Sequence, residues 1–134
     1  MAVIDASVYV AMVNAHENQH SNSWAWFEHA QAAQEEISAP NILLAEIAAA
    51  LSRGTGNPVL AHRITQQLLD SKLINLVSVT PNLAERAATI AANHQIRGCD
   101  AVYVALAEQL DVYLMTLDKQ QFERGAEIVT TRQP

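Results

Sequence analysis

The sequence predicts an α/β fold built on a mainly parallel sheet. Short apolar runs of strand length alternate with longer segments whose apolar residues recur at three- and four-residue spacing. A polar residue followed by proline marks two helix starts, at Asn57-Pro58 and Thr80-Pro81. Two carboxylates, Asp5 and Asp118, fall at expected strand exits, where sheets of this class carry their sites.

Val3-Ile4-Asp5 is a short apolar run closing on a carboxylate, and so a first strand. Trp24 to Ala33 has a helical pattern with Trp24 and Phe27 on one side, entered through His20-Ser21-Asn22-Ser23. Glu36 to Ala39 reads as a strand. Pro40 then sits where a first-turn proline belongs, and Asn41 to Arg53 is expected as a helix stopped by Gly54. After a Gly54-Thr55-Gly56 loop, Leu60, Ile64 and Leu68 give the next helix its apolar face. Leu76 to Val79 is strand-like, and Leu83, Ala87 and Ile90 share one face of the helix that Thr80-Pro81 opens. Gly98 separates that helix from an unusually apolar one, Ala101 to Ala107. Val112 to Met115 and Ile128 to Thr130 look like strands on either side of a helical turn around Gln120.

The 134 residues fit one domain spanning 1–134. With 50% hydrophobic and 16% charged residues, the chain can bury a core, which argues against disorder. The single cysteine, Cys99, excludes an intrachain disulfide and any multi-cysteine zinc cage. Met1 to Asp5 lacks the basic region of a signal peptide, and no apolar run approaches membrane-spanning length, so a cytoplasmic protein is expected. A net charge of −6 with 8 Lys and Arg is not the usual footprint of a nucleic-acid binder. A site of clustered carboxylates changes that sum, because bound divalent cations supply positive charge locally.

Four carboxylates stand out from their surroundings. Glu46 interrupts a helix that is otherwise apolar nearly all round; a buried acid there needs a cation, a partner or a raised pKa, whereas at a helix edge it is an ordinary surface residue. Asp100 opens the most apolar helix and has the position of an N-cap. Asp118 with Gln121 three residues on has the spacing of a capping box. Asp5, before Ala6-Ser7, could equally cap a helix. Singly each has a structural explanation. Together, with no Cys or His among them, they suit a hard, oxygen-liking cation such as Mg²⁺ or Mn²⁺ and suit zinc poorly.

Val3-Ile4-Asp5-Ala6-Ser7, Leu44-Ala45-Glu46-Ile47, Arg97-Gly98-Cys99-Asp100 with Ala101 to Ala107, and Thr116-Leu117-Asp118 resemble, in order and over nearly the whole chain, the four acidic motifs of the PIN-domain ribonuclease family. The Asp100 segment is the most specific of them. The resemblance implies a three-layer α/β/α fold with a central, mainly parallel sheet. It implies an acidic quartet of Asp5, Glu46, Asp100 and Asp118, with Asp5 and Asp100 first as metal ligands. Ser7 and Thr116 match the family's hydroxyl positions. Short members of this layout are similar to VapC toxins of toxin–antitoxin pairs, which implies RNA as substrate, Mg²⁺ or Mn²⁺ as cofactor, an inhibitory antitoxin partner and a homodimer. The antitoxin's tail is expected in an apolar groove near Trp24 and Phe27.

Other readings compete less well. An inactive PIN fold acting as an interaction module has no need of all four acids. His16-Glu17-Asn18-Gln19-His20 matches the zinc-protease pattern H-E-x-x-H, but it runs into Ser21-Asn22-Ser23 without apolar support, and Ser23 and Trp26 stand where the extended motif needs Gly and His. A polar loop between two helices is the plainer expectation. The Gly54-Thr55-Gly56 stretch lacks the lysine and preceding strand of a phosphate loop, and a phosphoacceptor domain needs more acids beside Asp5.

Overall fold

The structure, a computed structural model, describes residues 1–134. Its five strands are β1 (Ala2–Ile4), β2 (Ile37–Pro40), β3 (Asn75–Val77), β4 (Tyr113–Met115) and β5 (Thr131–Arg132). The helices are α1 (Ala6–Val13), α2 (His20–Ala32), α3 (Leu43–Thr55), α4 (Pro58–Ser71), α5 (Pro81–His94), α6 (Gly98–Leu110) and α7 (Lys119–Gly125). All strand pairings are parallel, in the order β3-β2-β1-β4-β5. The chain therefore winds outward from β1 to β3, then crosses back to β4. Helices α1 to α4 pack in one set and α5 to α7 in another. Right-handed crossovers put the two sets on opposite faces, giving the three-layer α/β/α arrangement.

Burial explains the sequence pattern. All three β1 residues are buried, as expected of a parallel strand covered on both faces. Helix α6 packs on β1, β2 and β4 and buries Ala101 and Tyr103 to Ala107, so its apolar residues leave no polar stripe. Truncating the fully buried Leu106 to alanine would cost about 2–5 kcal/mol. The side chains of Asn57 and Thr80 cap α4 and α5, each with proline next, as the sequence predicts.

Several boundaries differ from the expectations. Pro40 does not open a helix; it ends β2, where the backbone N–H of the next residue, Asn41, carries on the pairing by donating to the Val77 carbonyl at 2.9 Å. Helix α3 begins at Leu43 and runs through Gly54, which does not stop it. The stop is Gly56, whose φ of 65° is the left-handed cap geometry glycine adopts without strain. Ile128 to Thr130 is not a strand: Ile128 and Val129 turn back onto the Gly125 carbonyl, and pairing with β4 is made by Thr131–Arg132. Helix α2 starts at His20, so the polar entry segment is its first turn. Helix α1, which the sequence pattern does not delimit, buries Val8, Tyr9, Ala11 and Met12 and so shows little amphipathic periodicity. No helix is long and apolar enough to cross a membrane.

Candidate active site

The reversal of winding direction lies between β1 and β4, and at such a switch point the strand ends leave a crevice. Asp5 follows β1 there. The register pairs Ile4 with Met115, which sets Asp5 beside Thr116 at the ends of the two strands. The Asp5 carboxylate is buried, with 3% exposure, and its Oδ1 caps α1 by accepting from the Val8 N–H at 3.2 Å. The Ser7 hydroxyl donates to Oδ1 at 2.6 Å and the Thr116 hydroxyl to Oδ2 at 2.6 Å. Ser7 Oγ in turn accepts from the Leu117 N–H, tying the two strand exits together. Capping and site-building are thus the same contact set. Burial pushes the Asp5 pKa up to about 6; the Ser7, Thr116 and Val8 hydrogen bonds pull the other way, and the nearby charge of Asp100 adds to the rise.

Asp118 caps α7 through the Gln121 N–H, which donates to its Oδ1 at 2.8 Å. The reciprocal half of a capping box is not made. The Gln121 side chain, 1% exposed, points inward instead: its amide donates to the Asp100 carbonyl and its Oε1 faces the Thr116 hydroxyl at 2.9 Å. Thr116 has one hydroxyl hydrogen for two acceptors, and the shorter contact to an ionised Asp5 is the stronger. Asp100 is not an N-cap. Helix α6 starts two residues earlier, capped at Arg97, and Asp100 stands in its first turn with its side chain 16% exposed. Burial raises the Asp100 pKa, while the Arg97 guanidinium works against that rise.

Arg97 spans two acids, with Nε 2.8 Å from Asp100 Oδ2 and one terminal nitrogen 2.9 Å from Asp118 Oδ2. Glu46, half-buried in the first turn of α3, accepts from the hydroxyl of Tyr103, a fully buried residue of α6. One cleft of about 350 Å³ is lined by Asp5, Ser7, Glu46, Asp100 and Asp118, with Arg53 and Arg97 as its cations. A larger hollow of about 650 Å³ beside Met1 and Tyr113 carries only Glu108 and Asp111 as acids and lies away from this convergence.

The donors are hard oxygens only, which fits a divalent cation of the Mg²⁺ class. They are not drawn together into a closed ligand set: no three Asp, Glu, His or Cys residues form a ready cage. Two of the acids instead share Arg97 as counter-ion. The donor chemistry therefore fits an ion, on condition that Arg97 gives way.

The sequence matches the family model of the PIN domain over residues 2–128. The chain belongs to the PIN domain family. Its backbone is similar to that of VapC20 from Mycobacterium tuberculosis, a sarcin–ricin loop cleaving toxin, with a TM-score of 0.78 and 20% identity over 98% of this chain and 99% of that one. FitAcB from Neisseria gonorrhoeae gives 0.72 and 20% identity over 98% and 96%. VapBC2 from Rickettsia felis, solved with a DNA fragment from its promoter, gives 0.74 and 14% identity over 99% and 98%. At these identities the likeness concerns the fold. No curated protein sequence matches.

All six site residues expected from the sequence meet in or beside this PIN-domain cleft. Gln121, Arg97, Arg53 and Tyr103 also gather at or beside it, which the sequence pattern alone does not indicate. Gln121 was visible only as half of a capping pattern, and Arg97 only as a neighbour of Asp100. The histidines fall elsewhere: His16 lies in an exposed turn, and His20, the first residue of α2, spends Nδ1 on the Ala11 carbonyl at 2.7 Å.

Proposed function

We propose that this PIN domain, taken as one unit over 1–134, is a Mg²⁺- or Mn²⁺-dependent endoribonuclease and the toxin of a toxin–antitoxin pair. The observation that carries the reading is the convergence of Asp5, Glu46, Asp100 and Asp118, from four separate elements, on one cleft at the sheet's switch point. Asp5 and Asp100 are assigned as direct ligands, and Glu46 and Asp118 complete the shell or orient water. Ser7 and Thr116 hold both oxygens of Asp5, so its orientation is fixed before an ion arrives. The bound ion supplies an activated water and stabilises negative charge on the phosphate. Single-stranded or looped RNA is the substrate class, because unstacked strands enter an open cleft and a duplex does not. VapC20, a sarcin–ricin loop cleaving toxin of the same fold, supports this reading.

The same reading gives the chain a cytoplasmic setting, a homodimeric state and an antitoxin partner. A structural neighbour from Klebsiella pneumoniae is a toxin–antitoxin complex, which supports a partner of this kind. An apolar hollow lined by Tyr9, Met12, Val13, Trp24, Phe27 and Leu73 suits a partner's apolar tail, and Trp24 is 43% exposed beside it. The deciding experiment incubates purified protein with single-stranded RNA. Cleavage is expected with Mg²⁺ or Mn²⁺ and none in EDTA, with no need for zinc. Robust cleavage in excess chelator would overturn the mechanism.

A further inference from the structure

Arg97 sits on oxygens of two of the acids that would hold an ion at this cleft. Its guanidinium is held by Oδ2 of Asp100 and Oδ2 of Asp118. A dication and a guanidinium on those two oxygens would repel each other at contact distance, so binding one displaces the other. The displacement is easy. Arg97 is 69% exposed, and an ion pair so open to water contributes little. Its backbone cannot follow, because it caps α6 and its carbonyl accepts from the Ala101 N–H at 2.9 Å. The released guanidinium therefore stays at the rim of the cleft, on a side chain already open to solvent.

That rim is short of positive charge. The chain has 8 Lys and Arg in all, and of the residues lining this cleft only Arg53 and Arg97 are cationic. Arg53 makes no ion pair. A guanidinium offers a forked set of donors that matches a phosphate.

We propose that Arg97 is an RNA-binding residue that rests on Asp100 and Asp118 when the ion is absent and moves to a backbone phosphate of the substrate when the ion displaces it. This rests on the nuclease reading. Arg97 then couples the two ligands: the ion creates the anion-binding group, and a phosphate holding Arg97 away favours the ion.

The test compares Arg97→Gln and Arg53→Gln with the unmodified protein. Mn²⁺ binding is measured by titration calorimetry without RNA, and cleavage of a single-stranded RNA is measured at saturating Mn²⁺ over a range of salt. Arg97→Gln should tighten Mn²⁺ binding about three- to tenfold, the worth of a solvent-exposed pair. It should raise KM several-fold with kcat little changed, and flatten the salt slope of RNA binding by about 0.7. Arg53→Gln should leave Mn²⁺ affinity unchanged. Unchanged or weaker Mn²⁺ binding in Arg97→Gln overturns the proposal, as does equal tightening in Arg53→Gln, which would mean a general field and no specific contact. An unmodified protein that binds Mn²⁺ but neither binds nor cuts RNA overturns the nuclease reading and the phosphate role together, while the calorimetry still decides the competition for the oxygens.

Discussion

Asp5 is pulled in two directions. Its strand-end position buries it, which disfavours the charge, while three donors favour that charge. Its ordinary pKa of 3.8 applies in the unfolded chain, against about 6 in the folded one. Between those values the folded state binds more protons than the unfolded state, so stability falls as pH rises through that window. By neutral pH the cost is on the order of 3 kcal/mol, and Asp100, also raised, acts with the same sign. Melting curves in EDTA between pH 4 and 7 should therefore show a declining Tm that Asp5→Asn flattens; parallel curves for the two proteins would refute this. The same substitution, and Asp100→Asn, should reduce RNA cleavage by orders of magnitude without unfolding the protein. A double His16→Ala, His20→Ala variant should keep its cleavage rate and lose about 1 kcal/mol with the Ala11 hydrogen bond; a dead histidine variant beside an active Asp100→Asn would bring back the zinc-protease reading. Glu46 was legible because it breaks an apolar helix, and Asp5, Asp100 and Asp118 because they fall at strand exits or a helix start, where such a fold builds its site. Tyr103 was not: it looks like core, and its partner Glu46 lies 57 residues away in sequence.

At the scale of elements, α7 shows what a short helix can hold in place. Its seven residues carry Gln121, which bonds the first turn of α6 through the Asp100 carbonyl and meets the hydroxyl that fixes Asp5. Gln121→Leu should cost about 1–3 kcal/mol, since it leaves the Asp100 carbonyl without this donor. It should also lower kcat, because the first turn of α6, which carries Asp100, loses its anchor to α7. A stable variant with full activity would show that the anchor is only packing. Helix starts were readable wherever a cap precedes proline. Helix ends and strand edges were less so, because they depend on pairing across the fold. Pro40 fits either a first helical turn or a strand end by local rules, and only the neighbouring β3 decides. The Ile128 to Thr130 run has strand composition, yet Gly125 turns it back before pairing begins.

Across the whole molecule, charge and topology set the partners. A net charge of −6 repels RNA at long range, so on the nuclease reading a cation at the cleft has to supply the attraction. The same acidity invites a basic partner. A small protein encoded beside this one should co-purify with it and inhibit cleavage, its arginine on the acids and its apolar tail along Trp24 and Phe27. Co-expression, pull-down and an RNA assay test this; a neighbour that does neither removes the toxin role and leaves the nuclease. The fold class was legible from alternation alone. The order of the strands was not, because nothing local says that β4 must return to lie beside β1.

That return has a consequence in time. Asp5 is made well before the hydroxyl that fixes it, on Thr116, which comes 111 residues later. At about 5–20 residues per second, translation leaves a gap of roughly 6–22 s in which β1 has no β4 beside it and the acids are scattered along a growing chain. If the domain is the ribonuclease proposed above, a nascent chain without β4 should spare the RNA around it, and a product truncated before β4 should do the same.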